Sequence, residues 1–216
     1  MAKLVQPFGT DFKTPIGQLR FPAIARAEAY KDSKPRFGAT LVLPESAKVK
    51  ELVKAVEELA VLNFGKEAST VLKPYVTGIE YTDNMTDPSD NVKNFFKDKI
   101  VFKANSNLDH PPKCVLQNGN VIDRIPGDET CLDVIEETFY PGSLVRLALT
   151  PLAYQMSKQL KGVTFLFKGV QFFADGQRLG GTDVAKIFAD DFDTEGIDAF
   201  TVDNDSGLPD VDGVNI

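Results

Sequence analysis

Between Tyr140 and Gly181 the chain reads YPGSLVRLALTPLAYQMSKQLKGVTFLFKGVQFFADGQRLGG, with apolar residues recurring at every second position over two long runs. Strand side chains point alternately to opposite faces, so this period marks half-buried strands. In the first run Val145, Leu147 and Leu149 share one face, and Arg146, Ala148 and Thr150 the other. In the second, Val163, Phe165 and Phe167 oppose Thr164, Leu166 and Lys168. Lys158, Gln159, Lys161 and Gly162 interrupt the pattern, a short basic connection that makes the two runs a hairpin. Gly169 breaks the second run, and a glycine inside a strand marks a bulge or bend, which is how small barrels turn their corners.

The rest of the chain supplies further short strands and one good helix. Residues 13–30 contain Thr14-Pro15 and Phe21-Pro22, and prolines without a ladder donor suit an irregular extended segment, at an edge or a bulge. RFGATLVLP at 36–44 reads as a strand in which Phe37, Ala39 and Leu41 alternate with Gly38, Thr40 and Val42. Ser46 is placed to cap a helix over about 47–62, where Val49, Leu52, Val53, Val56, Leu59 and Ala60 follow helical spacing. Residues 82–99 read as a polar surface loop ending on a Phe95-Phe96 anchor. Strands follow over 100–106 and 113–116, with a hairpin turn at Asn118-Gly119-Asn120, a return through 121–125 and an irregular or briefly helical connection over 126–139. A last helical turn is expected over 182–188.

Charge is segregated. The formal net charge is -7, yet the stretch from Asp190 onward holds nine acids and no lysine or arginine. Removing those nine from the 31 acids leaves 22 against 24 bases, so residues 1–189 carry about +2. The tail has too little apolar periodicity to offset its ordering entropy and reads as disordered. Two cysteines are too few for a disulfide framework, and no run reaches the roughly 18 apolar residues of a membrane span. A cytoplasmic, soluble protein is expected.

Catalytic constellations are missing from this sequence. One histidine excludes zinc hydrolase sites built on two or three, and no GxSxG, P-loop or GxGxxG occurs. His110, Cys114 and Cys131 offer soft ligand types but lack the paired spacing of a zinc finger. No enzyme, cofactor or metal is expected. What remains is a basic and aromatic set: Arg20, Phe21, Tyr30, Lys34, Arg36, Phe37, Lys103, Arg146, Tyr154, Lys158, Lys161 and Lys168. Single-stranded nucleic acid is held by such groups, cations following the phosphates and rings stacking on bases, each stack worth roughly 1–3 kcal/mol whatever the base. Tyr154, followed by Lys158 and Lys161, is the first choice for an exposed platform, because phenylalanines are mostly buried. The acidic tail is able to compete for the same cations, and Asp190, Asp191, Phe192, Asp193 and Phe200 are its docking residues for partner proteins.

Thr14–Gly17, Arg20–Ala23, Lys34–Phe37, Gly142–Tyr154 and above all GVTFLFKGVQF at 162–172 with DGQRLGG at 175–181 resemble bacteriophage single-stranded DNA-binding proteins that carry an OB-fold and an acidic tail. The resemblance implies a replication, recombination and repair accessory that coats exposed strands. It places Arg20, Phe21, Arg146 and Tyr154 in matching motifs. The tail ends Val214-Asn215-Ile216, where some phage relatives have a terminal aromatic.

The expected architecture is therefore mainly β: an OB-fold-like Greek-key β-barrel with an inserted α-helix over residues 1–189, followed by a disordered acidic C-terminal tail over 190–216. The expected partners are single-stranded DNA and, through the tail, replication proteins; a homodimer is left open and no membrane partner is expected. The alternative is a β-barrel protein-interaction or assembly module without DNA binding.

Overall fold

The computed structural model describes residues 3–4, 11–29, 33–125 and 127–179. The acidic tail and the 182–188 turn lie outside them. The strands are β1 (Lys3–Leu4), β2 (Phe12–Lys13), β3 (Gly17–Glu28), β4 (Arg36–Pro44), β5 (Tyr75–Thr77), β6 (Lys99–Ser106), β7 (Lys113–Val115), β8 (Val121–Ile122), β9 (Leu144–Gln155) and β10 (Lys161–Ala174). The helices are α1 (Ala47–Phe64), α2 (Gly78–Asp83), α3 (Asp90–Phe96) and α4 (Glu129–Thr138).

The hairpin read from the alternation is β9 and β10, paired antiparallel from Gln155↔Lys161 to Leu144↔Ala174. Its register slips by one residue between Phe167 and Gly169, so the bulge falls where the glycine placed it. Val145, Leu147, Leu149, Val163, Phe165 and Phe167 are all buried. Thr150, expected on the outer face, is fully buried as well, its hydroxyl donating to the carboxylate of Asp11.

Pairing then runs β3–β4–β6–β10–β9, and β9 returns to β3 through Gly17↔Val145 and Gln18↔Leu144. The ring is closed. In chain order it runs first, second, third, fifth, fourth, with the third and fifth strands, β6 and β10, parallel at Phe165↔Ala104. A closed five-stranded Greek-key barrel of this kind is the OB arrangement, and closure removes the edges that would otherwise template aggregation. β1 and β2 extend β9, β5 extends β6, and β7 with β8 extends β10.

Ring closure depends on Gly142, just ahead of β9. It adopts φ +111° and its N–H donates to Leu19 O at 2.8 Å, while a Cβ there would stand 1.9 Å from Gln177 O. No other residue tolerates that approach. Inside the barrel Phe102 meets Phe165 edge-on at 5.6 Å, and both are fully buried with Phe167. Aromatic pairs of this geometry contribute about 0.5–1.5 kcal/mol beyond their buried area.

α1 is capped as the sequence indicated, Ser46 Oγ accepting from Val49 N, and buries Val49, Leu52, Val56 and Ala60 in the barrel's core. α4 follows the third ring strand; it packs against β3 and buries Ile135, with Phe139 just beyond its end. Residues 82–99 are not the expected loop, because α2 and α3 occupy much of this region. Thr77 and Glu80 form a reciprocal capping box for α2. Phe96 at the end of α3 buries against Val42 and Val101 on the outer face of β4 and β6, with Tyr81 and Phe95 alongside. That packing explains why Val42 is buried even though it alternates away from the barrel interior. Among the described residues, no helix is long and apolar enough to cross a membrane.

Candidate nucleic-acid interface

The local sequence around Phe21-Pro22 forces β3 out of regular pairing. Pro22 has no N–H for the ladder. Register passes from Arg20↔Thr40 to Ala23↔Gly38, three steps on β3 against two on β4, so one residue is extra. Phe21 absorbs the bulge with φ +45° and is 70% exposed. A large aromatic in left-handed backbone costs on the order of 1–3 kcal/mol, and bulges re-aim side chains at functional surfaces. A second irregularity between Ala23 and Glu28 frees carbonyls that Arg124 takes up, its guanidinium donating to Ile24 O at 2.8 Å and also to Ala25 O.

Beside the displaced ring lies a groove of about 350 Å³ over the outer face of β3, β4 and β6. Cross-strand rows set its shape. Arg20, Thr40 and Lys103 align in one row, and Ala23, Gly38 and Asn105 in the next. Ala23 and Gly38 leave the floor shallow, while Phe21, Lys34, Arg36 and Lys103 rise around it. None of these three cations has a carboxylate partner among the described residues. Glu28 is the one acid on the lining. An exposed ring beside unpaired cations above a shallow floor has the features that stack a base and hold its phosphates. In five-stranded Greek-key barrels the second and third strands, here β4 and β6, are the face that takes oligonucleotides.

The described residues singled out from the sequence separate into four groups. Phe21, Lys34, Arg36 and Lys103 meet in this groove. Arg20 and Phe37 do not serve it as expected. The Arg20 guanidinium lies 5.1 and 5.2 Å from the Phe95 and Phe96 ring centres, and burial lowers its pKa from the ordinary arginine value. Phe37 is buried in the core with Arg124 over its ring at 5.1 Å, so it offers no face to a base.

Tyr154, Lys158 and Lys161 sit at the β9–β10 tip and do not line the groove. Tyr154 is half-buried, and that burial raises its hydroxyl pKa. Lys161, named from the sequence as a DNA contact, is mostly buried and salt-bridged to Glu67. Lys158 is exposed. Arg146 and Lys168 lie on a different face, formed by β2, β7, β9 and β10, where Lys168 Nζ holds Asp11 at 2.7 and 2.8 Å. Tyr30 and the tail residues Asp190, Asp191, Phe192, Asp193 and Phe200 lie outside the described residues.

Sequence reasoning missed Asn105, which lines the groove from β6, and the small floor residues Ala23 and Gly38. For Gly38 and Asn105 the alternation with buried neighbours was the available signal; Ala23, itself buried between two register irregularities, gave none. His110, Cys114 and Cys131 do not converge: among the described residues no group of three metal-ligating side chains forms. Burial raises the Cys114 thiol pKa to about 11.

A family model described as the ssDNA-binding protein of Enterobacter phage Enc34 matches residues 12–202. The chain belongs to that family. Its fold is shared with solved structures of the phage Enc34 single-stranded DNA-binding protein. A C-terminal truncation of that protein is 17% identical at TM-score 0.62, the match covering 82% of this chain and 98% of that one. The form titled as in complex with ssDNA is 16% identical at TM-score 0.60, covering 79% of this chain and 89% of that one. No curated protein sequence matches the chain.

Proposed function

We propose that this protein binds single-stranded DNA without regard to sequence, in the groove over β3, β4 and β6. Phe21 is the stacking platform, and Lys34, Arg36 and Lys103 hold successive phosphates. The observation that carries the reading is a strained, exposed aromatic at the rim of a groove whose cations have no carboxylate partner among the described residues. Strain kept on a surface residue with little to pack against points to use. Family membership supports the same ligand class.

On this reading the protein is a binder with no catalytic step. It coats exposed strands during phage DNA replication, recombination and repair in the host cytoplasm. The polyanionic stretch beyond Asp190 competes with DNA for the groove's cations and contacts replication proteins when DNA displaces it.

The test is oligo(dT) binding by fluorescence anisotropy across a salt series, wild type against Arg36→Ala/Lys103→Ala. Each phosphate contact on a single strand contributes about 0.7 to the log-log salt slope, so the double variant is expected to lower the slope by about 1.4. An unchanged slope would place the phosphates elsewhere. Absence of binding at low salt would favour an assembly module.

A further inference from the structure

The groove does not stop at β6. Its last lining residue there, Asn105, is the register partner of Leu166 on β10. Leu166 opens a depression of about 580 Å³ shared with His110, Lys113 and Lys168. Lys113 and Lys168 in turn line a groove of about 330 Å³ with Lys13, Arg146 and Gln171. Lys13 and Arg146 then line a further depression of about 440 Å³ that reaches Lys48 on α1. The last three hollows share lining residues, and the first adjoins them through the Asn105–Leu166 pairing, which lays out a candidate channel from the β3–β4–β6 face across β10 to the face of β2, β7 and β9.

The charges along this channel are available to an anion. Lys13 and Lys113 are exposed, and neither they nor Arg146 has a carboxylate partner among the described residues. Arg146 Nε is buried without a hydrogen-bond partner, while its guanidinium lies over the half-exposed ring of Phe173 at 5.5 Å. Lys168 differs, being neutralised by Asp11, and Asp109 and Glu51 also border the channel. Between the cations Val115 and Ala148 present apolar surface to sugars and base edges, above the buried Leu147 and Val170.

We propose that a single DNA strand longer than the groove continues across β10 onto this second face, where Lys13, Lys113 and Arg146 take its phosphates. The proposal rests on the reading of the β3–β4–β6 groove given above. Curvature selects the ligand. Duplex DNA has a persistence length of about 150 base pairs, so following so curved a path costs it bending energy that a single strand does not incur.

The experiment compares full-length wild type with Lys13→Ala/Lys113→Ala on oligo(dT) of about 6 and about 16 nucleotides, lengths within the range one OB-fold covers. Both substitutions are at exposed lysines, away from the first groove. Two lost contacts at about 0.7 each lower the salt slope on the longer strand by about 1.4, which amounts to about 25-fold in affinity at 0.1 M salt relative to 1 M. The shorter strand, held in the first groove, binds the variant as it binds wild type. Equal binding of the longer strand by variant and wild type, or equal losses on both lengths, would overturn the second path and leave the first groove standing. Failure of wild type to bind either strand would instead overturn the reading of the groove, and the path with it.

Discussion

Replacing Phe21 separates its function from its structural cost. The ring is 70% exposed, so about a third of an aromatic's ordinary buried surface of ~200 Å² is lost, roughly 1.5 kcal/mol. Glycine at this position relieves about 1–3 kcal/mol of left-handed backbone strain and adds about 0.5–1 kcal/mol of unfolded-state entropy. These effects nearly cancel. Phe21→Gly is therefore expected to unfold within about 1 kcal/mol of wild type, a shift of no more than about 4 °C for a chain of this size. Phe21→Ala keeps the strain and loses the ring, so it is expected to be less stable than the glycine variant, the reverse of the usual order inside a strand. If Phe21 stacks on a base as proposed, both variants are expected to lose one stack of about 1–3 kcal/mol, a fall of about 5- to 150-fold in oligo(dT) affinity. Differential scanning calorimetry and anisotropy titrations read the two quantities independently. An alanine variant at least as stable as the glycine variant would refute the strain argument, and unchanged affinity in both would refute the stacking role.

Other consequences follow from the same structure. Truncation after Ala189 removes the nine acids of the tail and is expected to tighten oligo(dT) binding, most at low salt; equal affinities across the salt series would show that the tail does not compete. Gly142→Ala places a Cβ 1.9 Å from Gln177 O at φ +111°, so a drop of several kcal/mol in unfolding free energy is expected by denaturant titration. Burial of Glu57 raises its pKa, but hydrogen bonds from Lys73 and Tyr75 outweigh that and hold it below the ordinary glutamate value. The unfolded chain thus takes up this proton at higher pH than the folded one, so the contribution is present above the unfolded pKa and is lost as pH falls through the folded pKa. Glu57→Gln is expected to flatten the acid limb of the stability profile measured by urea unfolding between pH 6 and pH 3; an unaltered limb would remove Glu57 from the account.

Much of the barrel was legible because its signals are local. The alternation of Val145, Leu147 and Leu149 against Val163, Phe165 and Phe167 fixes the faces of one hairpin, and Gly169 marks its bulge within a residue. The Ser46 cap and the spacing from Val49 to Ala60 do the same for α1. α2 and α3 were missed because helices of six and seven residues have little periodicity and are held by tertiary burial of Phe96 against Val42 and Val101. The Thr77–Glu80 capping box was the readable sign of α2.

For the candidate site, composition named basic and aromatic residue types but could not tell displayed rings from buried ones. Phe21 and Phe37 both neighbour basic residues, and only the bulge before Pro22 turns Phe21 outward while regular alternation turns Phe37 inward. The preference for Tyr154 rested on tyrosine's average exposure, which pairing with Gly162 and partial burial override here. Lys161 appeared free because its partner Glu67 is distant in sequence, and Arg20 because Phe95 and Phe96 reach it only through the folded insertion. Contacts of that kind depend on the whole topology.

On the proposed reading a single strand passes over Phe21 in the β3–β4–β6 groove. Photo-crosslinking of 5-iodouracil-substituted oligo(dT) to the full-length protein, followed by peptide mass spectrometry, tests it most directly. An adduct on Phe21, lost in Phe21→Ala, is the expected result. Adducts confined to Tyr154 and the β9–β10 tip, with none on the peptide containing Phe21, would contradict it.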